Sequence, residues 1–439
     1  MREHDTRMFT IDPAMLAFDA DPATETDRYT GVLDNAGYRI EVPKTWNGIL
    51  VMYAHGYVGT VPALRPSSPS IRAHLISKGY AWAASSYSTN YYDVQAGVED
   101  TNKLALAFKR IVTEGGRAIE EPTKRYLIGH SMGGHITGAA IEKEAQMTAK
   151  NKLHYDAALP MCGVMGDTEL FNFFAAYQLA AQKLANTPVA MNPTDFATVR
   201  QQTQDALFST FPTATTPAGD KLRVIVQNLT GGKRPTFDAG FASMMWQGAV
   251  WSTFGGDGKI NGILDRSVID TRMIDYQLDD DPAKSAEETA FNAEVARSMP
   301  DVNANPVRTD GLRWVPVVNG EIDIPVLSLH TLGDLYVPFH MEQLYRNRVT
   351  AKGNGERLVQ RAIRGVGHCE FTFAEQATAF DALANWEQNG QKPEGDDVLD
   401  RALVADPNYG CKFTNNTFNA AEMTAGTLPA ARGMNAPCP

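Results

Sequence analysis

The chain has no apolar run long enough to cross a bilayer as a helix, for which about 18 residues or more are needed. A transmembrane segment is therefore not expected. Basic residues are in deficit: 40 Lys and Arg stand against 51 Asp and Glu, a formal net charge of −11. Nucleic acid and anionic membrane surfaces attract basic patches, so both are disfavoured as partners. The opening residues, Met-Arg-Glu-His-Asp, lack the basic-then-apolar pattern of a secretory leader. Either the protein is cytoplasmic or a leader has been removed. Cysteine is scarce, with four in 439 residues, and none has metal-ligand spacing. No internal repeat and no long low-complexity tract is present. Gly231-Gly-Lys-Arg-Pro235 is glycine-rich but lacks the strand, GK[ST] step and helix of a phosphate loop.

The remaining composition is that of a globular protein, 43% apolar and 21% charged. The length exceeds the need of one compact α/β unit, so a long insertion or a second domain is expected. Two regions alternate strand and helix. In the first, residues 1–164, Gly48–Tyr53, Tyr80–Ala84, Arg125–Gly129 and Tyr155–Pro160 read as buried strands. A helix from Val98 carries Leu104, Phe108 and Ile111 on one face and stops at Gly115-Gly116; another is expected from Gly133 to about Lys150. In the second region, residues 321–439, strands at Pro325–Leu329 and Leu358–Ile363 flank a helix around Phe339–Lys352. A closing helix opens with the capping box Thr372-Phe-Ala-Glu375 and ends at Gly390. Such alternation predicts an α/β fold, a mostly parallel sheet covered by helices on both faces. Residues 165–320 interrupt it. They carry a helix start at Ser285-Ala-Glu-Glu288 and many large apolar residues, among them Phe171, Phe174, Tyr177, Trp246, Trp251 and Phe254. This stretch is expected to be a largely helical cap, or lid, inserted over the C-terminal edge of the sheet, with the glycine-rich 231–235 segment as one of its turns.

Gly129-His-Ser-Met-Gly133 is a G-x-S-x-G pentapeptide with an apolar strand before it and a helix after it. That context favours a strained strand-to-helix turn that lifts Ser131 clear of the sheet and puts its Oγ at a helix N-terminus. The bland alternative is a glycine-rich turn without chemistry. A serine hydroxyl needs a base, and His368 is, of nine histidines, the one in a late, glycine-flanked loop after a strand. The acid should follow the preceding strand, where Asp334 lies; Asp323 precedes that strand and falls at the wrong end of the sheet. An oxyanion hole would use the backbone N–H of Met132 and that of Tyr57, after Gly56, with Val58 as the alternative.

Together His55-Gly56, Gly129–Gly133, Gly333-Asp334 with Val337-Pro338, and Gly367-His368 resemble the α/β-hydrolase superfamily over about residues 40–164 and 321–392. The resemblance implies the α/β-hydrolase fold with Ser131, Asp334 and His368 as a catalytic triad. The Tyr57 and Met132 pairing resembles the cutinase-like and polyesterase branch, which lacks a cap. The His368-Cys369 step is similar to the tannase and feruloyl esterase family, where a disulfide ties the serine and histidine loops, but His130 stands where that family has cysteine before Ser131, so assignment to it fails. Cys162 remains a candidate partner for Cys369, and Cys411 with Cys438 would tie down a tail with little apolar surface. An even count so placed leans towards an oxidising compartment, secreted or periplasmic; four reduced thiols in the cytoplasm are the alternative.

The expected reaction is hydrolysis of a carboxylic ester, small or polymeric, with a hydrophobic acyl or aryl part, through an acyl-enzyme. No metal or organic cofactor is implied. An amidase, peptidase or acyltransferase with the same triad is the first rival. A non-catalytic binding module is the second, and such modules usually lose a triad member. Asp279-Asp-Asp-Pro282 reads as a solvated turn rather than a cation site.

Overall fold

The computed structural model describes residues 6–253, 263–264, 266–435 and 438; Phe254 and His4 lie outside them. Eight strands form the central sheet: β1 (Thr26–Leu33), β2 (Ala36–Pro43), β3 (Ile49–Ala54), β4 (Ala81–Ser85), β5 (Lys124–His130), β6 (Ala157–Met161), β7 (Val326–Thr331) and β8 (Leu358–Ile363). Their order across the sheet is β1-β2-β4-β3-β5-β6-β7-β8. The β1–β2 and β2–β4 pairings are antiparallel and all others are parallel. The β1–β2 hairpin turns through Asp34 and Asn35, both at positive φ (46° and 71°), as a tight two-residue connection requires.

Alternation along the strands feeds two apolar layers. Leu50, Met52 and Ala54 of β3 point into one, and Ile49, Val51 and Tyr53 into the other. The first layer is closed by α2 (Val94–Glu114), α3 (Met132–Ala140) and α11 (His340–Ala351), the second by α1 (Arg72–Ser77) and α12 (Phe373–Asn389). Leu104, Phe108 and Ile111 of α2 are buried as their spacing predicts. The capping box at Thr372 forms, and Gly390 ends α12 at φ 70°.

Three boundaries differ from expectation. The α2 helix starts one turn early, at Val94, because the Asp93 carboxylate caps the Ala96 N–H. The expected 133–150 helix is two, α3 and α4 (Lys143–Thr148). It breaks where the buried Glu142 turns to accept the N–H groups of Gly320 and Glu321, at 2.8 and 2.9 Å. The hairpin β1–β2 extends the sheet beyond the predicted strands.

Between β6 and β7 the described residues carry α5 (Glu169–Ala185), α6 (Pro193–Leu207), α7 (Pro217–Leu229), α8 (Phe237–Phe241), α9 (Met244–Thr253) and α10 (Ala286–Glu294). Their apolar side chains belong to the same continuous cluster as the first layer. Cys162 is bonded to Cys369 and Cys411 to Cys438. Among the described residues, no helix is long and apolar enough to cross a membrane.

Candidate active site

Ser131 stands between the end of β5 and the start of α3 at φ 58°, ψ −120°. A non-glycine residue held there stores roughly 1–3 kcal/mol of strain, which the surroundings must over-determine. They do so through backbone packing. A Cβ on Gly129 would lie 2.2 Å from the Gly133 carbonyl oxygen, and one on Gly133 would lie 2.0 Å from that of Ala54. The Ser131 N–H donates to the Met161 carbonyl at 3.0 Å. The two motif glycines therefore permit the crossing of β3, β5 and α3 that projects the serine.

Asp334 and His368 occupy the loops after β7 and β8, at the same edge of the sheet. His368 Nδ1 is 2.5 Å from Asp334 Oδ2, and His368 Nε2 is 2.7 Å from Ser131 Oγ. A carboxylate only accepts, so the proton sits on Nδ1 and Nε2 is left to accept from the hydroxyl. Asp334 is fully buried. Its other oxygen accepts the N–H groups of Tyr336 and Val337, each at 2.9 Å. The two loops touch: the Gly333 N–H donates to Gly365, and a Cβ on Gly333 would come within 2.7 Å of Val366 Cα. The histidine loop is braced by Glu370, which accepts the Gly367 N–H at 2.7 Å, and Arg432 of the tail faces Glu370 while gripping both oxygens of Glu375.

The loop after β3 meets the serine from the other side. A Cβ on Gly56 would stand 3.2 Å from Ser131 Cβ. His55 stacks on Tyr87 at 4.2 Å, and the Tyr87 hydroxyl donates to the His55 carbonyl. Tyr57 and Met132 are thus brought beside Ser131, Met132 as the first residue of α3. His130 packs away from the site, its ring nitrogens on Gln376 and Tyr53; burial pushes it down to about 4 and keeps it neutral.

A cavity of about 340 Å³ opens on Ser131, walled by Tyr57, Tyr92, Phe171, Phe174, Tyr336 and Val337 among others. Of the aromatic residues singled out in 165–320, Phe171 and Phe174 reach it. Tyr177 and Trp251 pack instead on each other, and Met244 and Met245 are exposed. Trp246 and Tyr336 meet the His368 ring edge-on at 5.9 and 5.6 Å. Tyr92 and Tyr336 were missed in the sequence: Tyr92 belongs to no motif, and Tyr336 sits inside the acid-loop motif without being marked as a wall of the site. The Asp279–Asp281 segment is an exposed bend. Cys162, His368 and Cys369 lie close together, but both sulfurs are committed to the disulfide.

The strand order, the single antiparallel strand β2 and the strained elbow after β5 define the α/β-hydrolase fold. No protein-family model matches the chain. The o-phthalyl amidase of Xanthobacter agilis is 30% identical over 110 residues, 24% of this chain and 24% of that protein, so the chain spans about a quarter of that relative's length. An esterase from Aspergillus oryzae has a similar structure, with TM-score 0.49 and 12% identity over 87% of this chain and 84% of its own. Feruloyl esterase B of the same organism follows, at 0.46 and 14% over 84% and 82%. The rice cell wall degrading esterase LipA from Xanthomonas oryzae stands at 0.39 and 16% over 80% and 86%.

Proposed function

We propose that this protein is a serine hydrolase that cleaves carboxylic esters through an acyl-enzyme. The observation that carries the reading is the hydrogen-bonded line from Ser131 Oγ through His368 to the buried Asp334. In this reading Ser131 attacks the ester carbonyl while His368 Nε2 takes its proton. The N–H groups of Met132 and Tyr57 receive the oxyanion. The imidazolium then protonates the leaving alcohol as the tetrahedral intermediate collapses. Water, deprotonated by His368, attacks the acyl-serine and releases the acid. The chemistry calls for no cofactor. Residues 165–320 act as a cap between the two parts of the core, 1–164 and 321–439. The aromatic walls of the cavity favour a hydrophobic acyl or aryl group on a small or polymeric ester. The two disulfides favour an oxidising compartment, secreted or periplasmic.

A second reading keeps the triad and replaces the ester by an amide; the similarity of a quarter of the chain to an amidase favours it. Hydrolysis of p-nitrophenyl esters from acetate to long acyl chains, beside matched anilides, tests both. The ester reading predicts turnover of esters far above anilides, lost in Ser131→Ala. Comparable anilide turnover moves the assignment to an amidase, and equal activity in wild type and Ser131→Ala places the chemistry elsewhere.

A further inference from the structure

Beneath the acid loop lies a second set of ionisable groups that the proposed reaction does not use. His330 of β7 and Glu342 of α11 are both enclosed, at 0% and 2% exposure. His330 Nε2 is 2.7 Å from the Val337 carbonyl oxygen. A carbonyl only accepts, so Nε2 carries a proton. His330 Nδ1 faces Glu342 Oε1 at 3.4 Å. The other Glu342 oxygen accepts from the Ser328 hydroxyl and the Gln360 amide. Both ring nitrogens thus face oxygens, Nε2 in a hydrogen bond and Nδ1 at ion-pair distance without hydrogen-bond geometry, and among the described residues this ring is the one cationic partner within 4 Å of the carboxylate. His330 Nε2 is also 4.0 Å from Asp334 Oδ2. The Val337 peptide is gripped at both ends, its N–H by Asp334 and its C=O by His330.

We propose that His330 is a standing imidazolium, paired with Glu342, that positions Asp334 through the Val337 carbonyl and sets the acid limb of turnover. The role rests on Ser131, His368 and Asp334 being the catalytic set. A cation 4.0 Å from Asp334 Oδ2 repels any further positive charge arriving at that edge, so removing it is expected to move the acid limb of turnover upward. The directions agree. Burial disfavours the imidazolium, but Glu342 and Asp334 outweigh it and raise His330 above its ordinary value. Burial likewise disfavours the Glu342 carboxylate, and His330 brings it below the usual range. The other titratable groups facing the pair are His340, Tyr345 and Arg346 of α11, Tyr409 of the tail, and Arg234 from the stretch between β6 and β7; burial raises both tyrosines, which stay neutral, and lowers Arg346. His340 is driven down to about 3 by burial and stays neutral. Arg234 is pushed down to about 9 by burial, remains charged at neutral pH, and donates to the Leu332 carbonyl at 2.7 Å. Arg234 therefore adds to the field at Asp334, whereas His330 alone holds the Val337 carbonyl.

The test has two readouts on the whole protein. The first is the ¹⁵N NMR signature of the His330 ring at pH 7, which needs no turnover and so stands apart from the reaction assignment. A doubly protonated ring is expected in wild type, and loss of one proton in Glu342→Gln. The second is the pH profile of kcat/KM for a p-nitrophenyl ester in the double variant His330→Gln/Glu342→Gln, which keeps an N–H for Val337 without the charges. Its acid limb should move up by about half a pH unit or more, with KM changed less than about twofold. A singly protonated His330 in wild type overturns the proposal. So does a double variant that turns over with the wild-type acid limb, since loss of mere packing would lower the rate without moving that limb.

Discussion

At the scale of single residues, the site depends on where protons are forced to sit. Asp334 has no spare acceptor capacity facing an empty direction: one oxygen takes two backbone N–H groups and the other takes His368. That arrangement holds His368 in the tautomer that can accept from Ser131. Asp334→Asn leaves the shape and presents an amide where the carboxylate stood. We expect kcat for an ester to fall about 10³–10⁴-fold with little loss of stability, measured by steady-state kinetics beside a denaturation curve. A fall under tenfold would mean that the carboxylate does not orient the histidine. Ser131, Asp334 and His368 were legible in the sequence because each follows a recognisable strand and sits among glycines. His330, Arg234 and Tyr92 were not. Their meaning comes from partners at distant positions, His330 with Glu342, Arg234 with Leu332 and Tyr92 with His135, and no local pattern marks such pairs.

At the scale of elements, the elbow is a crossing of three backbones. Gly133 has the Ala54 carbonyl where a Cβ would stand. Gly133→Ala must push β3 and α3 apart, and we expect a loss of about 3 kcal/mol in chemical denaturation together with loss of ester turnover. Wild-type stability in that variant would contradict the crossing as described. Most strands and the α12 helix were readable from apolar runs and caps. The β1–β2 hairpin was not, because β1 is half exposed along its length and the turn, Asp34-Asn35, lacks the glycine that usually signals one. The break between α3 and α4 was hidden for another reason. Glu142 looks like any helix-forming residue, and only its bonds to Gly320 and Glu321 show why it leaves the helix.

At the scale of the molecule, distant parts of the chain converge on one edge of the sheet. The Cys162–Cys369 bridge joins the end of β6 to the residue after His368, a sequence separation of 207. The Cys411–Cys438 bridge closes the tail that carries Arg432 to Glu370 and Glu375. The two pairings were open in the sequence, since four cysteines allow three connectivities. The helices between β6 and β7 share the apolar cluster of the sheet's first layer and supply Phe171 and Phe174 to the cavity. The proposed function depends on Ser131 being a nucleophile activated by His368. Intact-mass spectrometry of the whole protein after exposure to a fluorophosphonate tests it most directly. One adduct is expected, mapped to the peptide containing Gly129–Gly133, absent in Ser131→Ala and formed far more slowly in His368→Ala. An adduct on another residue, or equal labelling of Ser131→Ala, would contradict it.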